Sequence, residues 1–223
     1  MKISGISLAS LALFCNHRTW LSALSPEFRA RRTGSVMATF NDDLRYMILQ
    51  FLNEEGYKEA ARMFERESGS YFYMEHFEGM VMNGQWEAAE RYLSSFTKLD
   101  ENHFSLKIYF DMRKQHFLET LDGGDRGKAL DILMKDLKVF ANYDEHLFKE
   151  LTQLLTFNNI RENKKLSLYK DTVTERVKIM AELKRVIMAN PIFNGKLRFP
   201  DMENQRLKQL INQAAQSEKK FSN

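Results

Sequence analysis

The feature of the sequence with the clearest chemical potential is a stretch in which aromatic and basic residues alternate, "HFSLKIYFDMRK". A helix turns by about 100° per residue, so residues three or four apart share one side. On that side the rings would form an apolar floor and the ammonium groups a cationic rim, which suits a short apolar peptide with acidic neighbours. The residues that share it are Phe104, Lys107, Phe110, Lys114, Leu118 and Leu121.

The same stripe has a second interpretation. Lysine stems often cover apolar surface while their ammonium groups remain in water, and this arrangement needs no ligand. The residue pattern by itself leaves both interpretations open.

No pattern in the sequence predicts an enzyme. The segment "DGGDRGKA" fails as a phosphate-binding loop, because Asp122 occupies the first glycine position and Ala129 replaces the Ser or Thr that would hold Mg²⁺. There is no serine-nucleophile motif either. The histidines show no metal-binding spacing. We therefore expect no catalytic residue, no metal site and no cofactor. The five histidines are His17, His76, His103, His116 and His146.

Charge and composition exclude two further classes of function. The 33 basic and 30 acidic residues give a net charge of +3, which makes no electrostatic case for direct binding to nucleic acid. The longest apolar-rich stretch, "ISLASLALFC", is too short to cross a bilayer, so no membrane association is expected. A single cysteine, Cys15, allows no internal disulfide and favours a reducing compartment.

The stripe must be positioned by an all-α fold of about nine helices. Proline is absent between Pro26 and Pro191, and apolar residues recur at helical rather than strand spacing. We predict that the first helix begins at Asn41 as its N-cap and that Gly56 interrupts it. The second helix should end at Gly69.

The helix that carries the stripe is predicted to run from about Asn102 to Leu121 and to stop at two glycines. Asp125 should cap the following helix. A last helix is predicted over 201–216, and residues 217–223 form a polar tail.

Residues 1–36 are assigned to an extension ahead of the folded domain. Lys2 followed by an apolar stretch loosely resembles a secretory signal, and "RARR" without a preceding acid loosely resembles a transit peptide. A disordered extension and a targeting segment both remain open for this part of the chain.

Longer stretches of the sequence resemble a known family. The segment "DDLRYMILQFLNEEGYKEAARMFERESG" resembles a LisH dimerisation hairpin, and "YFYMEHFEGMVMNGQWEAAERYLSSF" resembles the CTLH motif that commonly follows it. The later strings "DLKVF", "LFKELTQLLT", "RENKKLSLY" and "ANPIFNGKLRFP" are similar to the amino-terminal domain of the plant TOPLESS and TOPLESS-related transcriptional corepressors.

The resemblance implies a domain order. A LisH hairpin is expected at 40–70, a CTLH region at 71–130 and a CRA-like helical region at 131–216. The family continues into a proline-rich linker and two WD-repeat propellers, which this sequence does not contain. A free-standing peptide-binding chain and an incomplete piece of a longer protein both remain open.

The resemblance also implies a function and a site. The family consists of nuclear corepressor adaptors that bind Leu-x-Leu-x-Leu repression peptides, called EAR motifs, of transcriptional repressors. The matching groove residues are His103, Phe104, Lys107, Phe110, Lys114, Phe140, Leu147, Leu154, Leu166, Tyr169 and Val186. Because the family has arginine where this chain has His103, weaker binding of acidic-flanked peptides and some recovery at low pH are expected.

Self-association as a dimer or tetramer is implied as well, including mixed assembly with full-length relatives. Asn158 replaces an acidic residue of the family, so the choice between dimer and tetramer stays open. An alternative function, a scaffold subunit of a ubiquitin-ligase assembly, would explain the LisH and CTLH motifs but not the later strings. The positions matching the oligomer interfaces are Leu44, Ile48, Phe51, Lys138, Thr152 and Gln153.

Overall fold

The computed structural model describes residues 38–221 of the chain, with side chains over 41–219. Within that range it contains nine α-helices, short 3₁₀ and π-helical turns, and no strand. The prediction of an all-α fold of about nine helices is therefore confirmed. The assignment of residues 1–36 to an extension or targeting segment lies outside the described residues.

The helices are numbered here in chain order. They are α1 (Ala38–Glu54), α2 (Lys58–Ser68), α3 (Met74–Met82), α4 (Trp86–Leu93), α5 (His103–Asp122), α6 (Arg126–Ile132), α7 (Glu145–Leu154), α8 (Thr172–Ala189) and α9 (Arg206–Phe221). A π-helical turn (Leu133–Leu137) and 3₁₀ turns (Lys138–Asn142, Ile160–Glu162 and Pro191–Phe193) lie between them.

The described residues form two compact units. One unit is 77–190, and the other combines 38–76 with 191–221. In the second unit α2 and α9 both pack against α1. Gly56 has φ +80° in the turn between α1 and α2, and Gly69 ends α2 with φ +60°, a conformation that glycine adopts without strain. Both predicted glycine boundaries are confirmed.

Two helix boundaries differ from prediction. Helix α1 already includes Ala38, so Asn41 lies inside the helix and is not its N-cap. Ala38 is a strong helix former, and no glycine or proline separates it from Asn41. Helix α9 begins at Arg206 rather than 201, because Gln205 has φ +55° and interrupts helical geometry there. It then continues to Phe221, since no glycine or proline stops it.

Helix α5 lies at the centre of the 77–190 unit and is buried on nearly every side. It packs against α4, α6, α8 and the π-helical turn. Asn102 caps its first turn by accepting a hydrogen bond from the Ser105 amide at 2.9 Å. The predicted stripe therefore belongs to a helix surrounded by protein, with Tyr109 and Met112 on its other faces equally buried.

The segment after α5 positions further core side chains. Asp125 caps α6 as predicted, by accepting from the Lys128 amide at 2.9 Å. The chain then changes from α- to π- to 3₁₀-helical geometry. Five apolar side chains of this segment are buried, namely Ala129, Ile132, Leu133, Leu137 and Phe140.

Candidate peptide-binding cavity

A cavity of about 360 Å³ opens in the 77–190 unit between α5, α7 and the segment 157–166. That volume lies within the range of ligand-binding sites in proteins. Its apolar lining consists of Leu118, Leu147, Leu151, Leu154, Phe157 and Leu166. Its polar lining consists of Lys114, Glu150, Gln153, Glu162, Asn163, Lys164 and Lys165.

The leucines of α7 form one wall because of their spacing. Residues 147, 151 and 154 follow at i, i+4 and i+7, so their side chains share a helix face. Asp144 fixes the start of the helix by accepting a hydrogen bond from the Leu147 amide at 2.9 Å. This cap sets the position of the first leucine of the wall.

The opposite wall is a turn that asparagine stabilises. The side chain of Asn163 accepts from the Lys165 amide, and its carbonyl accepts from the Leu166 amide, both at 2.9 Å. The turn thus directs Leu166, which is 4% exposed, toward the α7 leucines. Arg161 anchors the segment by donating to the Tyr169 carbonyl at 2.9 Å and by pairing with Asp122 of α5.

One ion pair joins the two walls. Lys165 Nζ lies 2.7 Å and 2.8 Å from the two carboxylate oxygens of Glu150 on α7. Both side chains remain partly exposed, at 34% and 25%. The Nδ1 atom of His146 lies 3.5 Å from Glu150 Oε1 on the outer side of the same helix.

The cavity brings together four of the eleven site residues predicted from sequence. These four are Lys114, Leu147, Leu154 and Leu166. Phe110 and Phe140 lie beside this group as a buried edge-to-face pair with ring centroids 5.2 Å apart. Lys114 Nζ lies 5.6 Å from the Phe110 ring centroid, which links this pair to the cavity through a cation–π contact.

Lys107 has a different environment from the one predicted. Its Nζ atom lies 2.6 Å from Asp111 Oδ2 and 3.3 Å from Glu182 Oε1 of α8. Its side chain is only 12% exposed. Ion pairing inside the unit therefore explains why a lysine lies on this side of α5. Neither of the two interpretations from sequence, a peptide groove or a snorkelling lysine, included this ion pair.

The remaining predicted groove residues lie on α5 or next to it, and they do not line the cavity. His103 and Phe104 lie at the start of the helix with their rings tilted against each other, at a centroid distance of 3.9 Å. The Tyr169 hydroxyl accepts from Gln115 Nε2 at 3.1 Å, and burial raises the pKa of this phenol. Val186 of α8 is 1% exposed and belongs to the packed interior.

Several cavity residues were absent from the predicted set. Leu151 and Phe157 are apolar, and the helical spacing of α7 already placed Leu151 on the same face as its neighbours. Glu150 and Lys165 carried no local signal, because their pairing depends on a contact between residues fifteen positions apart.

A second cavity, of about 340 Å³, lies between α4, α5 and the π-helical turn. Trp86 and His116 stack there with ring centroids 6.4 Å apart. Burial lowers the pKa of His116, an effect that Glu87, 3.8 Å away, partly opposes. Arg113 bridges the elements by pairing with Glu90 and donating to the Asp136 carbonyl at 2.7 Å.

The predicted oligomer positions all retain contact with solvent. Leu44 is 38% exposed, Ile48 and Phe51 are half-buried, and they share one side of α1 at i, i+4 and i+7. Lys138, Thr152 and Gln153 are exposed on the 77–190 unit. Asn158, at the position where an acid was expected, lies 3.4 Å from Arg126 Nη2.

Over 38–221, none of the helices has the length and apolar character needed to cross a bilayer. The same part of the chain contains no group of three histidine, cysteine or carboxylate side chains close enough to hold a metal ion.

Two family models match the chain in succession. A LisH model covers residues 42–68, and a model described as a TPR1-like, CTLH-containing domain covers residues 73–197. The second match includes the cavity and every helix that lines it.

The plant relatives share about half of the matched residues with the chain. Protein TPR3 of Oryza sativa subsp. japonica and Protein TOPLESS of Arabidopsis thaliana are each 53% identical over 178 residues. A WD repeat-containing protein of Dictyostelium discoideum is 27% identical over 180 residues.

These matches cover most of the chain but little of the relatives. The two plant matches span 80% of the chain and 16% of each relative, and the Dictyostelium match spans 78% and 28%. The chain belongs to the family of TPR1-like, CTLH-containing domains, carries a LisH motif ahead of that domain, and is similar to the TOPLESS-related proteins of plants.

Proposed function

We propose that the chain is a non-enzymatic, corepressor-type adaptor that binds the EAR motifs of transcriptional repressors through the cavity of its 77–190 unit. The observation that carries the proposal is the leucine-lined cavity, which has a lysine at its rim and lies in a domain similar to those of TOPLESS-related proteins. Leucine side chains of a guest would enter the cavity, and lysines would contact its backbone carbonyls.

The expected energetics favour a short guest with spaced leucines. Each leucine that is fully buried contributes about 1.5–3 kcal/mol, before the cost of ordering the peptide is subtracted. In an extended peptide alternate side chains point the same way, so a Leu-x-Leu-x-Leu segment presents three leucines to one surface. The x residues then point toward the rim and the solvent.

The adaptor would act as an assembly. Self-association through the α1 face, and through the surface that carries Lys138, Thr152 and Gln153, would present several cavities at once and increase avidity. Because repressors act on chromatin, we place the working location in the nucleus. Mixed assembly with full-length relatives is part of the same proposal.

The test is binding of a fluorescent, end-capped Leu-Asn-Leu-Asn-Leu peptide, measured by anisotropy. We expect wild-type protein to bind it and to ignore the peptide in which alanine replaces every leucine. Leu166→Ala should weaken binding about tenfold, since a leucine of the wall is lost. Leu168→Ala is the matched control, because Leu168 lies in the same segment but is 73% exposed and does not line the cavity.

Two outcomes of this binding experiment would contradict the proposal. Equal effects of the two substitutions, in variants with unchanged circular dichroism, would remove the cavity as the binding site. Absence of binding to the leucine peptide at concentrations up to the millimolar range would remove the proposed function itself.

A further inference from the structure

The Lys165–Glu150 ion pair is part of the lining of the cavity. Glu150 lies on α7 among the wall leucines, and Lys165 directly precedes Leu166 on the opposite wall. Their atoms approach to 2.7 Å and 2.8 Å, so the pair connects the two walls. A side chain that packs between those leucines passes next to both charges.

The charges around the pair are unequal. Lys114 and Lys164 also line the cavity, together with Glu162. With Lys165 and Glu150 included, the lining holds three ammonium groups and two carboxylates. A guest carboxylate would therefore meet a net positive lining, whereas a guest ammonium would be repelled.

A second polar side chain, that of His146, lies close to Glu150. His146 Nδ1 is 3.5 Å from Glu150 Oε1, on the same helix and 67% exposed. Thus Glu150 can turn toward His146 and solvent without losing every polar contact. Lys165 would then be free to pair with a carboxylate from outside.

We propose that Lys165 selects acidic residues next to the leucines of a guest, and that Glu150 acts as an internal competitor that occupies Lys165 when no such residue is present. The inference rests on the proposed function, because it assumes that apolar guests enter this cavity. It names the side chains that would set the preference for acidic neighbours.

The test compares two isosteric probes, an end-capped Leu-Asn-Leu-Asn-Leu peptide and the same peptide with aspartate in place of each asparagine. Capping removes the terminal charges, so the probes differ only in their two carboxylates. Affinities are measured by calorimetry for wild type, Lys165→Met and Glu150→Gln. Glu145→Gln is the matched control, since Glu145 also pairs with a lysine on α7 but does not line the cavity.

We expect wild type to prefer the aspartate peptide by about threefold, the size of a partly exposed ion pair. Lys165→Met should remove the preference. Glu150→Gln should increase the preference for the aspartate peptide over the asparagine peptide by about a further threefold. Glu145→Gln should match wild type with both probes.

Two results would overturn this inference alone, and a third would overturn the proposed function together with it. If Lys165→Met keeps the full preference, Lys165 does not select the guest. If Glu150→Gln strengthens both peptides equally, Glu150 obstructs the cavity sterically instead of competing for Lys165. If the asparagine peptide does not bind wild type at all, the proposed function fails and this inference falls with it.

Discussion

At the scale of single residues, Lys107 shows that a lysine expected to bind peptide can instead stabilise the fold through ion pairs. Among the described residues, Lys107 is the one cation within ion-pair distance of Asp111, whose side chain is 6% exposed. Glu182 has Arg185 as an additional partner, at 2.6 Å. Loss of Lys107 would therefore leave the Asp111 carboxylate buried and unpaired, which costs more than the loss of an exposed pair.

We predict that Lys107→Met lowers the free energy of unfolding by about 3 kcal/mol, as measured by urea denaturation. Lys149→Met is the control, because Lys149 pairs with Glu145 where both side chains are more than half exposed. It should change stability by less than about 0.5 kcal/mol. Equal losses in the two variants would show that the Lys107 network does not support the fold.

His103 yields a second prediction at this scale. It is the first residue of α5, and its ring contacts that of Phe104. Arginine has a permanent charge and a planar fork of donors, and it reaches further than imidazole. His103→Arg should therefore increase the affinity for acidic-flanked EAR peptides about threefold at neutral pH, with a smaller gain at pH 5.5. Equal affinities of wild type and variant at neutral pH would discard the prediction.

At the scale of elements, the position of α5 depends on its first turn. Asn102 accepts from the Ser105 amide and donates from Nδ2 to Asn190 Oδ1 at 3.0 Å, so it joins the start of α5 to the end of α8. Asn190 is fully buried and also donates to the Ser105 hydroxyl at 3.0 Å. This network fixes where His103 and Phe104 lie.

We predict that Asn102→Ala lowers the free energy of unfolding by about 1–2 kcal/mol through loss of the cap. Asn102→Asp keeps an acceptor for the Ser105 amide but loses the donor to Asn190, so it should retain part of that stability. Urea denaturation of the two variants separates the contributions. Identical losses would mean that the cap contributes nothing beyond the link to Asn190.

The contact of α4 with α5 gives the molecule a pH-dependent element. Burial lowers the pKa of His116, so the folded state holds the imidazole neutral at pH values where the unfolded chain binds a proton. Stability from this histidine is therefore present above the unfolded pKa of about 6.5 and is lost as the pH falls through the lower folded pKa. Glu87, Glu90, Arg113 and Asp136 also face the site.

We predict that His116→Gln flattens the dependence of stability on pH between about 7.5 and 5. The slope should decrease by no more than about 1.4 kcal/mol per pH unit, the limit for one proton. The pH dependence of His76→Gln serves as the comparison, because burial also lowers the pKa of His76, which lies in the other unit. A slope for His116→Gln equal to that of wild type would contradict the account.

At the scale of the whole molecule, the exposed apolar side of α1 is the element best suited to join copies of the chain. Leu44, Ile48 and Phe51 lie one turn apart along it and are not fully covered. LisH hairpins are short, and two short helices bury little apolar surface without a partner. We propose this face for the dimer and the surface with Lys138 and Thr152 for a tetramer.

We predict that light scattering coupled to size exclusion gives wild type a mass of at least twice the 26.3 kDa of the chain. Leu44→Glu combined with Ile48→Glu should shift that mass toward half its value, because two buried carboxylates cannot be tolerated in an apolar interface. Lys138→Ala with Thr152→Ala should change the mass only if a tetramer forms. A monomeric wild type at high concentration would contradict self-association.

The sequence predicts the elements of this molecule better than it predicts their contacts. Capping residues and glycines such as Asp125, Gly56 and Gly69 act locally, so the helices they bound were located correctly. The boundary at Asn41 was wrong because a good capping residue does not prevent a helix from starting earlier. Leu147 and Leu154, which the family resemblance implied as site residues, both line the cavity.

Contacts between distant residues explain most of what was missed. The pairing of Lys107 with Glu182 and that of Lys165 with Glu150 depend on how helices and turns pack, which one-dimensional spacing does not encode. The stripe on α5 was also read as one-sided, although the helix is enclosed by neighbours. Phe110 therefore belongs to the packed interior beside the cavity and does not form its floor.

The most direct test of the account is a calorimetric titration of the wild-type chain with the end-capped Leu-Asn-Leu-Asn-Leu peptide. We predict saturable heat, about one peptide bound per chain, and no heat from the peptide in which alanine replaces the leucines. Absence of heat from both peptides, or equal binding of both, would contradict a cavity that accepts leucine side chains.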